Sequence, residues 1–435
     1  MISKPSQQLS TYLSAFAGEK SAQLRSAQAA HEDGAKDLEA ASLEQAPVLR
    51  QPLAPRARGR IGAGATNVVK LDDASELMAV RNKRWYPPPL KPLFGTYLGE
   101  DGNLYTDLRI GMPLMGRCNL AESPLLKEAG HLRWQHIEAL TGVPSSELVD
   151  EEGDRLYATF FYVEIAFPPQ RPMATFAEND EVTIVNTLRR FGRFMLDGES
   201  FLCPSETRAV MDLETLSPEV ASTVGIPYIR LSNAFVKQWG GADWLKKGCP
   251  ANPGLANIPE TKSAPVGAVV APKVRIAESF PAPDETFTPL TNQATQTLYQ
   301  IVPDRDINGV GLLYFANYPQ YLDICERDTL SALPGALFDD ELMNLRTLVQ
   351  RRSAYFSNAR SDDVLEVHIR CWIENPFLKG DPEPARFPVN LHINYRMNRQ
   401  SDHRLMLVST ARKTVYGKML GETRLLDYLR KARVQ

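Results

Sequence analysis

The 435-residue sequence lacks the features that mark several large classes of protein. No stretch approaches the roughly 18 consecutive apolar residues of a membrane-spanning helix. The opening MISKPSQQLSTYLSAFAGEK contains no continuous apolar run of signal-peptide type. Neither sign of charge dominates: 49 Lys and Arg stand against 52 Asp and Glu, a net charge of −3. The local cationic excess that a nucleic-acid backbone demands is therefore missing. The five cysteines, Cys118, Cys203, Cys249, Cys325 and Cys371, are scattered and include no CxxC pair, which argues against a disulfide framework or a zinc ribbon. Histidine is scarce, and His131 and His136, five positions apart, are poorly placed to share a metal on one helical face. A protein of a reducing cytoplasm, without a metal site and without a membrane segment, is expected.

Aromatic residues are absent between Phe16 and Trp85, where Ala, Gln, Glu, Arg and Gly accumulate. Such a segment cannot bury a core of its own, so residues 1–84 read as a flexible or partly helical N-terminal extension. The rest of the chain is rich in strand formers and has room for two domains: 85–245 and 286–435, joined by a linker over 246–285 whose prolines and small residues suit a surface connection. A composition of 43% hydrophobic and 23% charged residues matches an ordinary globular protein.

What is present has a duplicated order. In the first half, ESPLLKEAGHLRWQHIEAL predicts an amphipathic helix over 122–140 stopped by Gly142. RLYATFFYVEIAF then predicts a strand over 155–167, followed by strands near 182–188 and 192–202. In the second half, TLYQIV predicts a strand, DRDING a turn, and GLLYFANYPQYLDICERDTL a helix that Pro319 kinks or delays. Strands follow near 345–356 and 364–372. Composition and periodicity thus reach a repeated α+β protein and name no reaction.

The run PDRDINGVGLLYFANYPQYLD resembles the second half of the leinamycin-type bifunctional acyltransferase/decarboxylases and of related biosynthetic proteins found beside polyketide and nonribosomal peptide genes. RIGMP, LLKEAGHLRWQHIEALTG, DEEGDRLYATFFYVEI and LRTLVQRRSAYFSNARSDDVLEVHIRC extend the resemblance over most of 104–372, and residues 1–84 have no counterpart in it. It implies a double hot-dog fold, in which two antiparallel sheets each wrap round a long helix. The implied substrate is an acyl thioester of coenzyme A or of an acyl carrier protein, with no prosthetic group. Self-association into a homodimer is left open.

In such a fold the thioester carbonyl is expected at the start of the wrapped helix, where free N–H groups and the helix dipole stabilise negative oxygen. The corresponding positions are Asp306, Asn308, Gly309, Val310 and Gly311, with Asn308 orienting the carbonyl or a water and Asp306 acting as a base or anchoring the loop. D-x-N-G is equally ordinary turn chemistry. The resemblance gives Tyr157 the role of acyl carrier, although a phenol needs activation to act as a nucleophile. Tyr162, Trp134 and Tyr355 read as core residues. Asp323 and Glu326 lie one helical turn apart, and the resemblance supports only Asp323 as an acid or base. Three functions remain in view: acyl transfer with decarboxylation, thioester hydrolysis or dehydration, and a noncatalytic carrier-protein module.

Overall fold

The computed structural model describes residues 94–116, 120–204, 216–238, 245–380, 388–415 and 424–432. The expected N-terminal extension lies outside the described residues. Alternation of apolar and polar side chains organises the strands. Val389, Leu391, Ile393, Tyr395 and Met397 are buried in the core, with Asn and other polar residues between them. That period of two puts one face of a strand against a core.

The first half contains β1 (Phe94–Leu98), β2 (Leu104–Arg109), β3 (Tyr157–Ala166), β4 (Glu181–Asn186), β5 (Arg189–Phe191), β6 (Met195–Pro204), β7 (Tyr228–Gln238) and β8 (Leu245–Lys247). The second contains β9 (Phe287–Pro289), β10 (Thr295–Gln300), β11 (Arg346–Tyr355), β12 (Val364–Glu374), β13 (Val389–Arg399) and β14 (Leu405–Val415). All pair antiparallel in one sheet. From its outer side inward, the first half runs β2-β4-β6-β7-β3 and the second runs β10-β12-β13-β14-β11. These are the same order of corresponding strands.

A long helix follows the first principal strand of each half: α1 (Glu122–Thr141) after β2, and, in the second half, Tyr318–Ser331 after β10. The protein is a double hot dog, and its two halves join where β3 pairs with β11, with Glu164 opposite Arg352. Gly142, at φ 68°, closes α1 in the left-handed conformation that favours glycine. Pro319 occupies the first turn of the second long helix, where its missing N–H leaves no bond unmade. The predicted helix over 311–330 therefore starts late, and the residues before Tyr318 are free to form a loop.

One continuous core carries both halves: Leu125, Leu126 and Leu132 of α1 share it with Tyr321, Leu322 and Cys325 of the second helix. The stretch 246–285, read from composition as a linker, departs from that expectation. It contains α2 (Val266–Ala277), and the second long helix is accordingly α3 (Tyr318–Ser331). Helix α2 packs on the opposite face of the sheet, with Ala271 and Val274 against Tyr162, Ala354 and Val408 across the β3–β11 seam. Its small residues make this close approach feasible: a Cβ on Gly267 would fall 2.6 Å from that of Tyr162. Among the described residues no helix is long and apolar enough to cross a membrane.

Candidate active site

A β-bulge prepares the site. The pairing of β3 with β7 shifts between Phe160 and Tyr162. Phe161 and Tyr162 consequently join the cluster under α2, while Phe160 turns inward and packs on Phe315 at a ring separation of 4.1 Å. Bulges re-aim side chains in this way beside functional sites.

The opening strand of the bulged ribbon, the middle of α1 and the loop leading into α3 enclose a cavity of about 390 Å³. Tyr157, Asn308, Gly309 and Val310 all line it, so the structure brings together four residues expected from two distant parts of the sequence. Trp134 and Tyr355 line it too, contrary to their reading as plain core. His131, Arg155, Ser145, Thr159, Ser357 and Asn358 also contribute to the polar part of the wall. No Asp or Glu belongs to this wall among the described residues.

The expected oxyanion site requires correction. Helix α3 begins at Tyr318, ten residues beyond Asn308, so 308–311 is not a helix start. The loop is a closed turn: Ile307 bridges Leu313, and Asn308 Oδ1 accepts from the amides of Val310 at 3.1 Å and Leu312 at 2.9 Å. The Gly311 amide donates to the Asn308 carbonyl, and the Leu313 amide donates to Asn358 Oδ1. Among the described residues no partner is seen for the Gly309 amide at the exposed tip or for the Asn308 side-chain NH₂, whose orientation is fixed because its oxygen is held by two donors. Gly311, at φ 77°, shapes the turn and does not reach the cavity wall.

Asp306 is fully buried and works as the anchor of this loop, which corrects its reading as a base. Its carboxylate accepts from Tyr299 Oη at 2.9 Å, the Val302 amide at 2.8 Å and Arg305 Nε at 2.9 Å. Burial pushes its pKa up, but these donors more than offset that, and the group stays below the usual carboxylate range.

Asp323 is also displaced from its expected role. It opens onto a second cavity of about 230 Å³ that Glu122, Ser123, Arg346 and Lys413 help to line at the start of α1. The two cavities occupy corresponding places in the duplicated fold. One holds the start of β3 and the approach to α3, the other the start of β11 and the approach to α1.

The second cavity rests on a neutral network of three acids and three bases. Arg351 donates to Glu122 at 2.8 Å and to Asp323 at 2.7 Å. Lys413 donates to Asp323 at 2.9 Å and to Glu326 at 2.7 Å. Arg346 and Tyr395 also bond to Glu326. Burial pushes the Asp323 carboxyl up, yet Lys413 and Arg351 hold it well below its ordinary 3.8. An acid stabilised that strongly as its anion is a weak proton acceptor.

A folded-state pKa below the unfolded one contributes stability that is present above pH 3.8 and lost as pH falls through the folded value. The Asp323→Asn variant should therefore melt below the native protein at pH 7, and the gap should close only under more acid conditions than pH 3.8. Thermal denaturation at pH 7 and near pH 3 checks this; a constant gap would contradict it.

Gly130 controls how closely α1 meets the loop before α3. A Cβ there would lie 2.9 Å from Phe315 Cζ and 3.0 Å from its Cε1. Gly130→Ala gains about 1 kcal/mol of helix propensity but forces the ring aside at a cost of about 1–3 kcal/mol. A net loss in melting temperature and a changed cavity wall are expected, measurable by denaturation and ligand binding.

Asp150, Glu152 and Asp154 form a separate acidic group, and Lys237 Nζ sits among all three, at 2.7 Å from Asp150 and 2.7 Å from Asp154. The lysine already supplies the positive charge there.

No protein-family model matches the chain. No curated protein matches it either. Solved structures do. A Lactobacillus plantarum protein described as an oleoyl thioesterase is 12% identical, over 73% of this chain and 97% of its own, with a TM-score of 0.47. An acyl-ACP thioesterase of Bacteroides thetaiotaomicron is 11% identical, over 72% of this chain and 98% of its own, with a TM-score of 0.43. A 12:0-ACP thioesterase of Umbellularia californica is 8% identical, over 72% and 98%, with a TM-score of 0.45.

Proposed function

We propose that the chain acts on an acyl thioester of the pantetheine arm, and that Tyr157 accepts the acyl group. The observation that carries this reading is the convergence of Tyr157 with the Asn308–Gly309 turn on one cavity whose described wall contains no carboxylate. A base-assisted mechanism through Asp306 or Asp323 has no residue in place. Of the other tyrosines in the wall, burial pushes the phenols of Tyr314, Tyr318 and Tyr355 up, which disfavours their anions. Tyr157, partly buried like Tyr314 and Tyr355, stands at the start of β3 with the Arg155 guanidinium 5.0 Å from its ring centre.

The reaction that agrees with the sequence resemblance starts from an α-carboxyacyl-CoA. The phenol oxygen attacks the thioester carbonyl, its proton passing to His131 of the same wall. The Asn308 NH₂ and the Gly309 amide stabilise the oxyanion, the C–S bond breaks, and CoA leaves as its thiol after protonation. Loss of CO₂ from the tyrosyl ester yields an enolate at the same donors, which a proton quenches. A carrier-protein thiol then attacks the ester and releases the phenol. No prosthetic group enters this scheme.

His131 equally favours a second reading, in which it activates water and the product is a free acid. Incubation with a panel of acyl-CoAs and a holo carrier protein separates the outcomes. Acyl-carrier protein with CO₂ supports the transfer, free acid without CO₂ supports hydrolysis, and tight binding without turnover reduces the site to a binding module.

A further inference from the structure

The second cavity, at the start of α1, holds polar groups that the ion network around it leaves unused. Arg346 lines it with a side chain only 7% exposed. Its Nε donates to the Met343 carbonyl and its Nη1 to Glu326, and among the described residues no acceptor is seen for Nη2. Asp323 lines the cavity too, with its side chain 46% exposed. Its bonds from Arg351 and Lys413 both fall on Oδ1, and among the described residues no donor is seen for Oδ2. Helix α1 begins on the same cavity without a side-chain cap, because Ala121 stands at the cap position. Pro124 has no N–H, and among the described residues no acceptor is seen for the amides of Glu122 and Ser123. One space of about 230 Å³ thus faces a buried guanidinium, an uncapped helix start and an anionic oxygen.

Size and charge narrow what fits. The volume lies below the roughly 300 Å³ at which pockets for drug-sized molecules begin, so the ligand is small. The acids Glu122, Asp323 and Glu326 already balance the bases Arg346, Arg351 and Lys413. A ligand of net charge would leave one charge of this network uncompensated, whereas a zwitterion brings one of each sign. Leu120, Met173, Pro319 and Leu348 form an apolar side of the wall, and no aromatic ring belongs to it among the described residues, which suits an aliphatic side chain.

We infer that this cavity is a second ligand site and takes a small aliphatic α-amino acid, its carboxylate held by Arg346 and the first amides of α1 and its ammonium by Asp323. A guanidinium edge and a helix N-terminus both favour carboxylate oxygens. Arg351 and Lys413 already hold Asp323 as its anion, the form that accepts from an ammonium. The bonds that fix Arg346 and Asp323 also limit what either side chain loses in freedom when the ligand arrives. The inference stands apart from the reading of the Tyr157 cavity, whose wall contains no member of this network.

The test is calorimetry of the full chain with glycine, L-alanine, L-valine and L-leucine, followed by the amide and the deaminated acid of whichever binds most tightly. At least one amino acid should bind, and its amide, which lacks the carboxylate, and its deaminated acid, which lacks the ammonium, should each bind about ten- to a hundredfold more weakly. Two variants place the binding. Asp323→Asn removes the charge that meets the ammonium and should weaken binding by a similar factor. Ala121→Leu fills the cavity at a half-buried position, touches none of the charged groups and should abolish binding. Melting curves show that each variant is folded, and Ala121→Leu carries the test if Asp323→Asn is not. The inference is overturned if the native chain binds none of the four amino acids, if the amide or the deaminated acid binds as tightly as the amino acid, or if folded Ala121→Leu binds as the native chain does.

Discussion

Tyr157→Phe is expected to abolish acyl loading of the protein, lowering turnover of the acyl thioester by at least about a thousandfold while leaving the melting temperature nearly unchanged. The phenol oxygen is the only atom removed. Tyr157 is half-buried at the start of β3, and no hydrogen bond to its hydroxyl is seen among the described residues, so the fold has little to lose. Intact-mass measurement with an α-carboxyacyl-CoA should show an adduct on the native chain and none on the variant. An adduct on both, or full activity of the variant, would remove the covalent step and leave water activation by His131 as the better account. Asn308→Ala makes an instructive contrast. It withdraws the acceptor of two loop amides as well as the presented NH₂, so both activity and loop order should decline.

Arg351→Met should destabilise the protein by about 3–5 kcal/mol, the usual consequence of removing one member of a buried ion pair. Arg351 is 2% exposed and joins Glu122 at the start of α1 to Asp323 on α3, so it fastens the two long helices to strand β11. Among the described residues Glu122 has no other charged partner at hydrogen-bond distance, and burial already pushes its pKa up despite Arg351. Asp323 keeps Lys413. The uncompensated charge therefore falls mainly on Glu122, and adding Glu122→Gln should restore part of the loss. At about 1–2 °C per kcal/mol for a core of this size the single variant should melt roughly 5 °C below the native protein. A shift of only a degree or two would show that water relieves Glu122 and that the network contributes little.

Much of the architecture is legible because its signals are local. The helix over Glu122–Thr141 follows from apolar spacing and a glycine stop, and the late start of α3 follows from Pro319. The alternation in VNLHINYRMNR is equally local and marks β13, a strand that the sequence expectations omit. Helix α2 is hidden by the prolines around it, since small residues that look like linker composition also permit close packing on a sheet.

Sequence by itself determined the duplicated order of elements and the presence of Tyr157 and Asn308 among them, because periodicity and turn chemistry act over a few residues. It left the partners of each polar side chain undecided. Only the tertiary structure enclosed Asp306 among three donors, carried Asp323 to a different cavity from Tyr157, and brought His131 and Arg155 to the site. The physical reason is that a side chain's protonation and reach depend on which distant strands and helices surround it. Those neighbours are fixed by the pairing of β3 with β11 and by one shared core, neither of which leaves a mark at the position of the residue itself.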